Sequence, residues 1–279
     1  MIRRGSACAK FIVAGEHSVA YGSAAIAVAL PELRLSVEES AAHSSSTFNG
    51  RPLIPTHAEA LSALLERFQA GSTHWKIESQ IPVGAGLGSS AALCTAILRA
   101  LHPDWDTSQL FEEARHGEEL FHLKASGVDP ACVATEKSLF FLPGHLWREL
   151  PPLSDKACFG VFHSGQERNT HEVQRRVQQF KSQDPEAFSQ CVRVLGENVE
   201  GLLKAWLASD LKGCAAVMNE SQKRLEELGV CTPKLLDLIH QLRNSGAIGC
   251  KVTGAGGGGC VVGLFEGAIP SSALATSCG

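Results

Sequence analysis

The chain has 279 residues, 44% of them hydrophobic and 19% charged, with 25 lysines and arginines against 29 aspartates and glutamates, for a net charge of −4. This composition is that of a globular chain, long enough for two domains sharing a cleft; it excludes general disorder and offers no basic footprint for nucleic acid or an anionic membrane. The longest uncharged apolar run, from Ala24 to Leu30, is far too short to cross a bilayer.

Taken from the N-terminus, two arginines are followed by Lys10 and by Gly15-Glu16-His17, which interrupt any signal-peptide core, so a cytoplasmic location is expected. Short strands are predicted at 10–15, 24–30 and 34–39, then a polar, turn-rich stretch beside a helix over 57–70. A strand near Trp75–Ile81 leads into "IPVGAGLGSS", after which apolar residues at helical spacing predict a helix over 90–101, with Pro103 just beyond it. Asp106, Thr107 and Ser108 are good cap residues for the next helix. "KSLFFLPG" reads as a strand, and 150–157 as a linker. Beyond it come a strand over 158–164, helices over 170–181, 185–208, 211–228 and 232–245, the segment "GCKVTGAGGGGCVVGLF" and a small-residue tail. Strands followed by helices in both halves predict two α+β layers and not one alternating parallel sheet. The ten cysteines form no CxxC pair and no zinc spacing; most stand beside apolar residues, as buried thiols do.

Several segments carry chemical possibilities. Gly84, Gly86 and Gly88 let a backbone approach a ligand closely, and the helix that follows aims unpaired amides and its positive dipole end at the loop. Together these make an anion site, with phosphate the commonest occupant; Ser89 and Ser90 can cap the helix or ligate a magnesium ion. The plain alternative is a glycine turn with a serine cap. A dinucleotide fold is rejected, because no strand bearing an acidic residue follows at the required distance. Five glycines in the seven residues from Thr253 to Gly259 imply some close approach, for which a ligand-facing loop is favoured over a hairpin. Phe111, Ala114, Glu118 and Phe121 share one helix face, so Glu118 lies on the apolar side and needs a cation or hydrogen-bond donors. Spacing alone assigns nothing to Asp129, Lys10, Glu16 or His17.

In combination, "AKFIVAGEHSVAYG", "IPVGAGLGSSAAL" and "CKVTGAGGGGC" resemble, in order, the three signature segments of the GHMP kinases, and they span the chain from Lys10 to Gly259. Within that family the first and third segments are most similar to those of mevalonate kinases, as is "ERNT" from Glu167 to Thr170. The resemblance implies an α+β, two-domain GHMP kinase fold, with a ribosomal-protein-like N-terminal domain over 1–152 and a ferredoxin-like C-terminal domain over 153–279. It implies transfer of phosphate from ATP, with Mg²⁺, to the C5 hydroxyl of mevalonate in isoprenoid biosynthesis. The alternatives are another acceptor within the family (a sugar, phosphomevalonate or a related hydroxy acid) or a non-catalytic nucleotide-binding member.

The same resemblance implies residue roles. Gly84, Ala85, Gly86, Leu87, Gly88, Ser89 and Ser90 would wrap the ATP phosphates, with Lys10 and Ser79 also at the nucleotide. Ser90 and Glu118 would hold Mg²⁺, and Asp129 would serve as general base with Lys10 beside it. Glu16, His17, Arg168, Thr170, Gly254, Ala255 and Gly256 would serve the acceptor, and His17, Arg168 and Thr170 are candidates to anchor its carboxylate. Three departures from the pattern stand out: Ala7-Cys8-Ala9 replaces Ala-Pro-Gly, His122-Leu123-Lys124-Ala125 replaces His-Gly-x-Pro, and the chain is short for a mevalonate kinase. Neither nucleic acid nor a membrane is an expected partner; a homodimer is compatible with the sequence, which leaves oligomeric state open.

Overall fold

The computed structural model describes residues 2–40, 45–71, 73–121, 126–144 and 146–278, the last by its backbone alone. The departure at His122 to Ala125 lies outside the described residues. The chain divides into two compact units, one made of Met1–Lys10, Ala29–Pro82 and Gly88–Glu136, the other of Phe11–Val28, Val83–Leu87 and Lys137–Gly279. Two long strands, β1 (Arg4–Ala14) and β2 (Ala25–Ser40), contribute residues to both.

In the first unit, Leu35–Ser40 of β2 runs antiparallel to β5 (His74–Ser79). The short β3 (Thr47–Phe48) joins β5 in parallel and β4 (Arg51–Pro52) antiparallel. Trp75 and Ile77 of β5 are buried while Lys76 between them is exposed, the period-2 alternation of a half-covered sheet. Four helices complete the unit: α1 (Pro55–Arg67), α2 (Ser89–Leu101), α3 (Thr107–Glu118) and α4 (Val128–Thr135). Small residues let α2 sink almost wholly into the core, with Ala91, Ala92, Cys94, Thr95 and Ala96 all fully buried. Gly5 of β1 shows how close the strand comes: a Cβ there would stand 2.0 Å from the Ala96 carbonyl oxygen.

The predicted cap of α3 is present as a reciprocal pair. The Gln109 amide donates to Asp106 Oδ1 at 2.9 Å, and the Asp106 amide donates to Gln109 Oε1 at 3.0 Å. The helix stops at Glu118, one turn before the pattern suggests. The amides of Leu120 and Phe121 instead close three-residue turns onto Gly117 and Glu118. Such tightening satisfies carbonyls that a helix end leaves without partners.

In the second unit, β6 (Leu139–Leu142) pairs with Ala25–Ala27 of β2 and with β7 (Leu146–Glu149). A four-stranded antiparallel sheet has the order β11 (Ala275–Cys278), β8 (Ala157–His163), β10 (Cys260–Glu266), β9 (Gly249–Val252). Helices α5 (Thr170–Gln183), α6 (Pro185–Leu207), α7 (Leu211–Glu227) and α8 (Pro233–Asn244) accompany it. Asn169, Asp184, Asp210 and Thr232 each cap one of them through a side-chain oxygen, and Pro185 and Pro233 open the second and fourth. The core joins Leu225, Leu235 and Ile239 of the helices to Cys250, Val261 and Phe265 of the strands. Helix is thus mixed with mainly antiparallel strand in both units, the α+β class expected.

Eight of the described cysteines are free, seven of them buried. Cys158, by contrast, is disulfide-bonded, which corrects the reading of the cysteines as thiols. Its Cα partner in the β8–β11 ladder is Cys278, a neighbour made by the sheet and invisible in the sequence spacing. Among the described residues no helix is long and apolar enough to cross a membrane.

The Gly5 contact predicts that Gly5→Ala, which sets a side-chain carbon against backbone, destabilises the protein by about 2 kcal/mol or more. A urea-unfolding midpoint equal to wild type would show that β1 does not press on α2 as described.

Candidate functional site

Lys10 lies in a stretch of β1, Ala7 to Ala14, in which every residue is buried, and it is itself 1% exposed. An ammonium group there needs a compensating carboxylate. Asp129, in the first turn of α4, supplies one, with Lys10 Nζ 2.8 Å from Asp129 Oδ1. The lysine stem is accommodated by Gly88, where a Cβ would fall 2.9 Å from Lys10 Cε and 3.1 Å from Cγ. Gly88 is also the N-terminal cap of α2, at φ 75°, and no side chain caps the helix. Ser90 Oγ donates instead to Glu118 Oε1 at 2.8 Å.

Glu118 is 2% exposed, as its place on the apolar face of α3 predicts. Burial, followed by the nearby charge of Asp129, pushes its carboxyl up to about 8, against the opposing effects of the Ser90 hydrogen bond and the Lys10 charge. A bound cation would reverse that balance. Ser90, Glu118 and Asp129 offer the hard oxygen donors that magnesium prefers, so the residues fit such an ion. Among the described residues no group of three or more His, Cys, Asp or Glu side chains could by itself hold a metal ion.

In the second unit the two glycine-rich segments lie backbone to backbone. A Cβ on Gly86 would stand 3.1 Å from the Thr253 carbonyl oxygen, one on Gly254 3.3 Å from Gly86 Cα, and one on Gly259 2.6 Å from the Ala85 carbonyl oxygen. The same run presses elsewhere on the protein, Gly256 on the Val230 carbonyl, Gly257 on Val173 and Gly258 on the Glu167 carbonyl, each with a Cβ distance of 2.6 Å or less. Chain-on-chain packing thus excludes side chains at these positions. Gly84 is different, since a Cβ there would meet nothing within 4 Å.

Glu16 is buried in the second unit. It is 2% exposed and forms an ion pair with Lys251, which is 0% exposed and also donates to the Val252 carbonyl at 2.7 Å. Burial lowers the proton affinity of Lys251, and the charge of Glu16 works against that. Lys251 is a residue that sequence reasoning missed. The available signal was its position in "GCKVTG", a lysine within a short strand of small and apolar residues. His17 stands at φ 63° with Nε2 3.1 Å from the Ala255 carbonyl oxygen. Burial, and then the charge of Lys251, push its imidazole down to about 4 against the effect of that hydrogen bond. At neutral pH His17 is uncharged in these surroundings.

Of the other expected residues, Arg168 is partly buried, with a guanidinium nitrogen 3.8 Å from where a Gly254 Cβ would stand. Thr170 opens α5 just after its Asn169 cap. Ser79 shares two hydrogen bonds with Ile81, and its backbone is held reciprocally by the Asn49 side chain at 2.7 and 3.1 Å. Asn49 is a second residue the sequence did not single out. The structure therefore gathers Lys10, Gly88, Ser90, Glu118 and Asp129 in the first unit, and Gly86, Glu16, His17, Arg168 and Gly254–Gly256 in the second.

Two family models and several known proteins match this chain. The GHMP kinases N terminal domain matches residues 56–136, and GHMP kinases C terminal matches residues 199–275. Mevalonate kinase of Thermococcus sibiricus is 32% identical over 93% of this chain and 88% of its own length. The crystal structure of L. major mevalonate kinase in complex with R-mevalonate covers 96% of this chain and 87% of that one, with a TM-score of 0.76 at 22% identity. Streptococcus pneumoniae phosphomevalonate kinase in complex with phosphomevalonate and AMPPNP reaches the same TM-score of 0.76 at 20% identity, covering 95% and 92%. At such identities the two structures speak for the fold alone.

The His17 geometry generates a pH dependence. With an unfolded value near 6.5 and a folded value of about 4, the unfolded chain takes up a proton in this window that the folded protein refuses. Stability is therefore full above 6.5 and falls as pH drops toward 4, by at most ~1.4 kcal/mol per pH unit from this group. His17→Gln should shallow the acid limb of a Tm-against-pH curve; an unchanged limb would contradict the burial of the imidazole.

Proposed function

The chain belongs to the GHMP kinase family, and on that footing we propose that it transfers the γ-phosphoryl group of ATP to the C5 hydroxyl of mevalonate, a step of isoprenoid biosynthesis. The observation that carries this reading is the Lys10–Asp129 ion pair at 2.8 Å, in the same unit as the Ser90–Glu118 hydrogen bond. Similarity to curated mevalonate kinases along nearly the whole chain supports the choice of acceptor.

Phosphoryl transfer asks a protein chiefly to position groups and to balance charge. Asp129 accepts the proton of the primary alcohol at its carboxylate as the oxygen attacks phosphorus. Lys10 orients that carboxylate and offsets negative charge developing on the transferred group and the incipient alkoxide. The loop from Gly84 through Ala85, Gly86, Leu87, Gly88 and Ser89 to Ser90 receives the phosphates at the start of α2, where the positive end of the helix dipole favours anions. Ser79, steadied by Asn49, stands on the nucleotide side. Ser90 and Glu118 would hold Mg²⁺, which when bound neutralises charge on the ATP phosphates.

On the acceptor side, Arg168 is the cation we assign to the carboxylate, with Thr170 and Gly254 as hydrogen-bonding neighbours. His17 serves there as a neutral group that fixes Ala255, next to Gly256, and Glu16 acts through Lys251.

Three predictions test the reading. Asp129→Asn should lower kcat by a factor of about 10² to 10⁴ while ATP binding stays near wild type by calorimetry. Wild-type turnover in that variant, followed by coupled ADP release, would remove Asp129 from the chemistry. A panel containing mevalonate, phosphomevalonate and galactose should give saturable ADP release with mevalonate only; preference for another acceptor overturns the substrate, and ATP binding without turnover on any acceptor overturns the kinase. Glu118→Gln should raise the Mg²⁺ concentration needed for half-maximal rate severalfold, with Ser90→Ala doing so to a lesser degree. Unchanged metal dependence in both would exclude them as ligands.

A further inference from the structure

Lys251, the third residue of β9, is completely buried two positions before the glycine-rich run begins. Its ammonium donates to the Glu16 carboxylate and to the Val252 carbonyl. A buried ion pair of this kind is a poor source of stability, because an apolar pair of similar volume commonly does as well or better. What the pair does achieve is a tie between two segments far apart in the chain. Further bonds tie the same segments at neighbouring positions. Thr253 Oγ1 accepts from the Ile12 amide at 2.9 Å and donates to the Ile12 carbonyl at 3.1 Å, and His17 Nε2 meets the Ala255 carbonyl at 3.1 Å. The end of β9 is anchored from another side by Gln222, fully buried, whose Oε1 accepts from the Val252 amide at 2.9 Å. The turn that follows Glu16 is docked in its own right, with the Tyr21 ring 5.6 Å from that of Phe188 and Ser23 against Gly196 of α6. Neither segment can shift without breaking a bond made by a fully buried group.

We propose that Lys251 and Glu16 form a positioning pair: together they hold the Gly15–His17 turn against Val252–Gly256 and so fix the backbone of the acceptor-side residues without touching the reacting atoms. The inference rests on the functional reading above only for what it calls the acceptor side; the mechanical tie stands on the bonds just given. It separates two roles that a single substitution would confuse. Lys251→Met or Glu16→Gln alone strands a charge out of water, so lost activity would follow from lost stability. The double variant Glu16→Gln/Lys251→Met removes both charges and, with them, the donor that joins the segments.

The test uses the full chain. Each single variant should melt well below wild type, and the double variant should recover most of that loss. Despite the recovery, amide exchange over residues 252–257, followed by mass spectrometry, should quicken about tenfold or more. The KM for mevalonate should rise about tenfold while that for ATP stays within about twofold, since a small misplacement of a positioned group is enough for such losses. A double variant with recovered melting temperature and wild-type exchange over 252–257 overturns the proposal. So does a fall in kcat with unchanged exchange, which would mean that Lys251 acts directly. If the double variant does not fold, Thr253→Val replaces it. That variant deletes both bonds to Ile12 and should give the same exchange and KM pattern, with Thr253→Ser restoring wild type; native exchange in Thr253→Val likewise overturns the inference. If the wild-type chain does not phosphorylate mevalonate, the functional reading falls, and the exchange experiment still decides the role of the pair.

Discussion

Lys10 sits in a strand whose residues from Ala7 to Ala14 are all withdrawn from water, and its ammonium must therefore meet a carboxylate at ion-pair distance. Much of the first unit is arranged around that requirement. Asp129 reaches the lysine because Gly127, at φ 88°, turns the chain into α4 immediately before it. Gly88 has no side chain because the lysine stem occupies the space one would take. The same charges set the state of Glu118, whose carboxyl is raised by burial and by Asp129 and restrained by Lys10 and Ser90. A change at any one of these positions is felt at the others.

Glycine plays two distinct parts. In the run from Thr253 to Gly259 it lets segments of the chain touch, and side chains are excluded by carbonyls and by Val173. At Gly84 nothing of the protein competes for the space. The same residue type therefore marks packing in one place and an open approach in another, and only the surroundings tell which.

That difference explains how much could be read from the sequence. The four helices of the second unit were legible almost to the residue, because Asn169, Asp184, Asp210 and Thr232 cap them and Pro185 and Pro233 open two of them. The buried face of α3, Glu118 included, followed from its spacing. Lys10, Glu16 and Asp129 became meaningful only as parts of the family pattern, since isolated charged residues are normally solvated. Lys251 escaped notice because its partner is Glu16, which no local pattern connects to it. Asn49 escaped for the same reason, its role being to hold the backbone of Ser79 across a sheet. Local order is written in local spacing; ion pairs and backbone clasps between distant segments are not.

The bond from His17 to Ala255 also fixes where the imidazole keeps its hydrogen. An uncharged ring has one N–H, and a carbonyl oxygen can only accept, so the proton resides on Nε2. Nδ1 is left with an electron pair in place of a donor. Any group that meets that nitrogen has to bring its own hydrogen, as an alcohol can and an ionised acid cannot.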